Sequence, residues 1–226
     1  RCLSRGLGDV YKRQFLDNIS RIDQFPKKPI KVLSKGIDQR LGGSAAVSAF
    51  TAKKLGCDSK FIGKFGDDDA SVFLKNEFKK FKININNSIL IKKCKSSQSF
   101  VIEDINGERL LAAYSDPKLL NYKKIPNLDF RKKDIYAVDM RWIRIATEIA
   151  KMTNNNNIKC VADLDNFKKT SHISQIVKNA SHPIFSEEGL KTYKRNSNMK
   201  TALFEIFNET QKFVAVTLGS QGVPVS

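Results

Sequence analysis

From Phe15 onward, the apolar positions of the chain switch between a period of two and a period near 3.6, and the switches mark the predicted elements. "ISRID" predicts a short strand, and "KVLSKGIDQRL" an extended ribbon with polar alternation that runs into Gly42-Gly43. Ala45 to Leu55 predicts a helix with Ala, Val and Phe on its packing face, and Gly56 closes it as the C′ residue. "SKFIGKFG" predicts a strand. "ASVFLKNEFKKFKI" predicts an amphipathic helix, with Val72, Phe73, Phe78 and Phe81 near helical spacing. "SSQSFVIEDINGERLLAAY" alternates on both sides of Asn106-Gly107, a strong short hairpin signal.

The second half repeats strand then helix. "DIYAVDM" precedes the helical "IRIATEIAKM", "KCVADLD" precedes "ISQIVKNA", and "PIFS" precedes a helix around "EEGLKTY". "MKTALFEIFNET" predicts one more helix, "KFVAVTL" a final strand, and Asn154–Asn157 a loop. This alternation predicts an α/β fold whose parallel sheet is covered on both faces. The polar ribbon and the hairpin break the rhythm. They predict a small β-lid outside the main sheet, with strands at about 30–41 and 96–114.

The composition narrows the class. A chain of 226 residues with 41% hydrophobic content can build a globular core in one domain. No apolar run of about 18 residues predicts a membrane span, and the N-terminus has no apolar h-region of a secretory signal. Cys2, Cys57, Cys94 and Cys160 lie far apart with no CxxC, so neither a zinc site nor a disulfide framework is predicted, and a reducing cytoplasm is expected. The formal charge of +17 could mark a nucleic-acid binder. The lysines, however, come in pairs scattered along the chain (Lys27-Lys28, Lys53-Lys54, Lys92-Lys93, Lys132-Lys133) and form no stripe with interleaved aromatics, so no nucleic-acid partner is expected. Residues 1–14, "RCLSRGLGDVYKRQ", look like a foreign, adapter-derived tail, and the closing "VPVS" looks similar; residues 15–226 are the expected domain.

The motifs exclude some chemistry. Gly42 and Gly43 lack the third glycine of a dinucleotide fingerprint, and no GxxxxGK phosphate loop occurs. A close-packing turn and a ligand-contacting turn both remain open for this pair, with Ser44 at the start of the following helix. Asp163 and Asp165 end a predicted parallel strand, where ligands collect in α/β sheets, although helix capping is an equal use for them. Arg141 ends another such strand and suits an anion clamp or a surface ion pair. Thr217, Gly219 and Gly222 end the last strand in a nucleotide-compatible turn or a plain one. "GDDD", Gly66 to Asp69, fits metal-binding carboxylates or, better, a capping loop. His172 and His182 have no partners that suggest nucleophilic or metal chemistry.

The run "LGGSAAVSAFTAKKLGCDSKFIGKFGDDDASVFLKNEFKKFKI", the "NGER" hairpin and "VTLGSQG" resemble, in order and spacing, the ribokinase-like (PfkB-type) carbohydrate kinases. "VDMRW" and "FSEEGL" are most similar to sulfofructose kinases. The resemblance implies a three-layer α/β sandwich with a mostly parallel sheet and a β-lid, and transfer of the ATP γ-phosphoryl group to a sugar hydroxyl with Mg²⁺. It also implies a lid through which homodimers form. Asp17, Gly42 and Gly43 match sugar contacts, and Lys31 and Arg141 match cationic sulfonate contacts. Thr217, Gly219 and Gly222 match the start of the nucleotide site. Val47 and Ala113 stand where asparagines are usual, and "SEEG" at Ser186–Gly189 departs from the NxxE metal-linked motif. The catalytic aspartate of the "DTTGAGD"-like segment is expected beyond Ser226, which implies an inactive chain as given. A non-catalytic sugar- or nucleotide-binding relative is the alternative.

Overall fold

The computed structural model describes residues 7–11, 15–124, 126, 128, 130–165, 167–195 and 197–226. In chain order, β1 (Leu7–Tyr11), β2 (Phe15–Arg21) and β3 (Gly36–Gly42) lead into α1 (Ser44–Lys54). Then come β4 (Ser59–Ile62), β5 (Lys64–Phe65), α2 (Asp69–Lys80), β6 (Ile89–Leu90), β7 (Gln98–Glu103), β8 (Arg109–Tyr114) and α3 (Pro117–Asn121). The second half is β9 (Ile135–Asp139), α4 (Ile143–Asn155), β10 (Lys159–Leu164), α5 (Ser171–Asn179), β11 (His182–Ser186), α6 (Glu187–Tyr193), α7 (Met199–Thr210) and β12 (Ala215–Thr217).

Six strands form one sheet in the order β12-β11-β10-β9-β1-β4, and every pairing within it is parallel. Burial on both faces explains its sequence: successive residues of one strand feed opposite layers. Ile62, Tyr136, Val138, Cys160 and Ala162 pack with Ile145 and Ile149 of α4, Ile173 and Ile176 of α5, and Ile206 of α7. Phe61 and Ala137 face the other way, onto Ala45, Ala46 and Ala49 of α1 and Leu74 and Phe78 of α2. The result is a three-layer ribokinase-like α/β fold.

A second, four-stranded sheet, β3-β2-β7-β8, stands outside this sandwich as the lid. Only β2 and β7 run parallel in it; the other pairs are antiparallel. The Asn106-Gly107 turn forms where predicted. Gly107 takes φ +83°, and the Asp104 carboxylate accepts from the Asn106 and Glu108 amides at 2.9 and 3.0 Å.

Several expectations change. Within the stretch set apart at 1–14, the backbone of Leu7–Tyr11 pairs in parallel with β4 on one side and β9 on the other. The lid strand expected at about 30–41 begins only at Gly36, and its neighbour is β2, which contains the "ISR" of the short predicted strand. "SKFIGKFG" is two strands in two sheets, since β5 pairs with β6 instead of continuing β4. On α2 the buried residues are Ala70, Ser71, Leu74 and Phe78, and Val72 is exposed. On α1 four alanines (Ala45, Ala46, Ala49, Ala52) form the buried stripe and let the helix lie close, while Val47 faces outward. α1 ends as predicted: Gly56 takes φ +86°, its amide donates to Lys53 O, and Cys57 N donates to Ala52 O, closing the last turn.

Candidate functional site

Parallel strands place all their C-terminal ends at one edge, which is where α/β sheets collect ligands. Here that edge carries Thr217 of β12, Ser186 of β11, Asp163 and Asp165 at the end of β10, and Asp139 and Arg141 at the end of β9. The lid adds a row of its own. Register aligns Arg40, Asp17, Ser99 and Ala113 across its four strands, so these side chains share one face.

Asp17 is the centre of that row. Ser99 Oγ donates to its Oδ1. Half-burial raises the Asp17 pKa above the ordinary carboxylate value, and the Ser99 hydrogen bond opposes this only in part. Gly42 has no room for a side chain, because a Cβ there would overlap the Asp17 carboxylate. Gly43 takes φ +90° and ψ 134°, a conformation that L side chains rarely adopt, and starts α1 with no side-chain cap. The pair therefore plays two different parts. Gly42 admits a carboxylate, and Gly43 makes the backbone turn that leaves the first amides of α1 uncapped beside it.

Arg141 lies in a one-turn 3₁₀ helix, Met140–Trp142, directly after β9. Asp139 accepts from the Arg141 amide at 2.9 Å and so fixes the start of the turn. Trp142 is buried at its end, with the Lys64 ammonium 4.6 Å from the ring centroid. The Arg141 side chain is exposed and makes no ion pair among the described residues. Lys31 lies in the 22–35 connection of the lid. It is exposed, has no ion pair among the described residues, and lines a shallow hollow with Phe25, Ile30 and Leu33.

At the other end of the edge, Thr217 Oγ1 donates to the Phe185 carbonyl at 3.4 Å. Gly219 (φ +57°) and Gly222 (φ +91°) shape the turn that follows, with Leu218 N donating to Gly222 O at 2.9 Å. A Cβ at either would meet nothing within 4 Å, so conformation and not close approach calls for glycine there. Ser186 caps α6, accepting from Gly189 N at 3.0 Å, and a Cβ at Gly189 would overlap the Leu164 carbonyl. Glu187 is paired with Lys191 at 2.7 Å. Among the described residues no group of three His, Cys, Asp or Glu is placed to hold a metal ion.

Asp163 and Asp165 do not serve as helix caps, since the N-cap of α5 is Thr170. In "GDDD" the capping use does hold for Asp68, whose carboxylate accepts from Ser71 N at 3.1 Å. His172 meets Thr147 at 3.2 Å, and His182 meets Ser181 at 2.8 Å and lies tilted against the Phe213 ring. Burial lowers the pKa of His182. Two site residues escaped the sequence: Ser99 and Arg40. Strand alternation alone put each on a predictable face, but only the pairing register shows that both flank Asp17.

The model of the pfkB family carbohydrate kinases matches residues 16–226. Fructokinase-2 of Zea mays is 34% identical over 84 residues, which are 37% of this chain and 25% of the relative, so the match spans about a quarter of that protein. A proposed ribokinase from Agrobacterium tumefaciens superposes with a TM-score of 0.85 at 23% identity, covering 96% of this chain and 71% of that one. The Arabidopsis thaliana ribokinase in complex with ribose and ATP gives a TM-score of 0.78 at 16% identity, over 99% of this chain and 75% of that one.

Proposed function

The chain belongs to the pfkB family of carbohydrate kinases, and from that premise we propose that it serves an ATP-dependent carbohydrate kinase reaction, transfer of the γ-phosphoryl group to a sugar hydroxyl. The observation that carries the reading is the half-buried Asp17 carboxylate, admitted by Gly42 and held by Ser99. A carboxylate only accepts hydrogen bonds when ionised, which suits it to hold sugar hydroxyls in one orientation. The uncapped start of α1 after Gly43 offers donors to the same ligand.

An anionic ketose such as sulfofructose is the proposed substrate. The exposed guanidinium of Arg141, carried on a turn held by Asp139 at its start and by buried Trp142 at its end, favours a sulfonate or phosphate group. Lys31 is the second proposed cation, and Arg40, opposite Asp17, a third. Ala113 in the Asp17 row offers no hydrogen bond where an asparagine would. Thr217, Gly219 and Gly222 are the proposed nucleotide contacts. The family's phosphoryl transfer works by positioning and charge stabilisation, with Mg²⁺ carried on the nucleotide. No described residue is assigned the role of catalytic base.

A cytoplasmic location belongs to the same proposal; no helix among the described residues is long and apolar enough to cross a membrane. Ile37, Phe100, Leu110 and Tyr114 are exposed on the lid face opposite Asp17, which supports a homodimer through the lid. A non-catalytic relative that binds sugar or nucleotide is the second reading, favoured by the engagement of Ser186 and Glu187 in capping and ion pairing.

Calorimetric titration with D-fructose and with sulfofructose tests the substrate. Arg141→Ala is expected to weaken the sulfonated ketose about tenfold or more and leave fructose within about twofold, since charge-assisted hydrogen bonds are the strong ones. Equal effects on both sugars would sink the anion clamp. Phosphorylation of either sugar in the presence of ATP and Mg²⁺ separates the kinase from the binding relative.

A further inference from the structure

Four consecutive backbone amides, those of Lys93, Cys94, Lys95 and Ser96, all donate to carboxylates. Asp67 accepts from Lys93 N at 2.7 Å and from Cys94 N at 3.1 Å; Asp116 accepts from Lys95 N at 3.0 Å; Asp68 accepts from Ser96 N at 2.9 Å. Further ties hold the same segment. Gly66 N donates to Ser96 Oγ at 2.9 Å, Asp67 N to Cys94 O at 3.1 Å, and the Lys118 ammonium to Lys93 O at 2.9 Å. A Cβ at Gly66 would overlap the Cys94 carbonyl, so the two backbones touch. Lys93 itself takes φ +52°, a conformation that persists only where surroundings impose it. Capping accounts for one oxygen of Asp68 and one of Asp116, and for none of Asp67.

Residues 93–96 are where the chain enters the lid. Ser97 O then accepts from Leu16 N at 3.1 Å, Ser97 and Ser115 hydroxyls meet at 3.0 Å, and Ser99 reaches Asp17. We propose that Asp67, Asp68 and Asp116 are positioning residues, a clasp that fixes the start of β7 on the body and thereby holds Ser99 against Asp17. The consequence for sugar binding rests on the substrate role given to Asp17 above. Exposed strand ladders normally open by local fluctuation, and a tied entry point raises the cost of opening β7 and its neighbour β2 together.

Amide hydrogen exchange on this chain tests the clasp without any ligand. Asp67→Asn is the cleanest variant, because Asp67 caps no helix, whereas Asp68 and Asp116 are the N-caps of α2 and α3. It is expected to speed exchange about tenfold at Leu16–Ser20 and Ser99–Ile102, while Tyr136–Val138 and Ile145–Ala150 stay unchanged. Asp116→Asn should do the same at the same amides. Faster exchange confined to Lys93 and Cys94, or a uniform rise across the body, overturns the proposal. D-fructose titration adds the functional arm: weakening of about tenfold in Asp67→Asn supports the clasp, and unchanged affinity in a lid that exchanges faster overturns its positioning role. If Asp17→Ala leaves fructose affinity intact, the sugar role of Asp17 fails, and the exchange pattern alone decides the clasp.

Discussion

The body and the lid of this protein are built from different forces. The six-stranded sheet buries apolar side chains on both faces, Phe61 and Ala137 on one and Tyr136, Val138, Cys160 and Ala162 on the other, so packing fastens it to both helix layers. The lid has few buried apolar residues, chiefly Leu16 and Val101, and its outer strand β8 is exposed along its whole length. What holds it is a ladder of hydrogen bonds, the ties at its entry, and surface pairs such as Arg21–Asp38 at 2.8 Å and Arg109–Glu103 at 2.7 Å. Surface pairs contribute little by themselves. The body therefore carries the stability of the chain, whereas the lid supplies the side chains proposed to orient the ligand. A perturbation in one region should leave the other's property largely intact.

The sharpest way to break that division is a pair of substitutions, one in each region. Ile149→Ala in α4 removes a fully buried side chain between helix and sheet. It is expected to lower unfolding stability by about 2–5 kcal/mol in denaturant titration, with sugar affinity of the remaining folded fraction unchanged. Gly42→Ala should do the reverse. The added methyl displaces the Asp17 carboxylate, and losing a hydrogen bond to a charged group, about 1.5–3 kcal/mol, weakens binding about ten- to a hundredfold. Calorimetry with D-fructose should show that loss while the denaturation midpoint moves only slightly. A Gly42→Ala protein that binds fructose normally would remove Asp17 from the site.

The same division explains what could be seen in the sequence. The repeating strand–helix rhythm after "DIYAVDM" was readable because strands packed under helices write a dense apolar code, and its elements lie where the periodicity puts them. Gly56 and Asn106-Gly107 were readable because positive φ is a local demand. The limits appear where the requirement is not local. Whether Gly42 packs or binds depends on Asp17 across the ladder, and no spacing in the chain announces that contact. Val72 looked like packing surface by its near-helical spacing with Phe73, Phe78 and Phe81, yet the α2 stripe runs through Ala70, Leu74 and Phe78. Asp67 looked like part of a capping or metal cluster, and its partners lie 26 and 27 positions away on backbone amides that carry no side-chain signature.

Acid should separate the two kinds of carboxylate. The folded pKa of Asp17 is raised by burial, so its protonated form favours the fold: that contribution is complete below the ordinary value of 3.8 and lost as pH rises through the raised value. Asp67 and Asp116 have lowered pKa values, chiefly because backbone amides donate to them. Their contribution is present above 3.8 and lost as pH falls through the lowered values. On acidification Asp17 titrates first. Fructose affinity should then fall about tenfold per pH unit below the raised value, the slope of a single proton, while exchange at Ser99–Ile102 stays slow until the clasp carboxylates protonate. Simultaneous loss of affinity and protection would mean that lid and Asp17 respond as one unit.

The mildest test fills a missing contact at the seam between the regions. Val47 lies in the second turn of α1, its amide donating to Gly43 O at 3.0 Å, and its side chain is 48% exposed in place of the asparagine usual in the resembled family. Valine and asparagine have similar helix propensities, and exposed substitutions normally change stability by less than about 0.5 kcal/mol. Val47→Asn should thus leave the body untouched. If the ligand sits against the Gly42–Gly43 turn, one added hydrogen bond of about 0.5–1.5 kcal/mol raises fructose affinity about two- to tenfold. Arg141→Ala in the same background should leave that gain intact, because the amide reads hydroxyls and the guanidinium reads charge. An affinity that stays flat would place the sugar away from α1 and leave Gly43 as a turn residue alone.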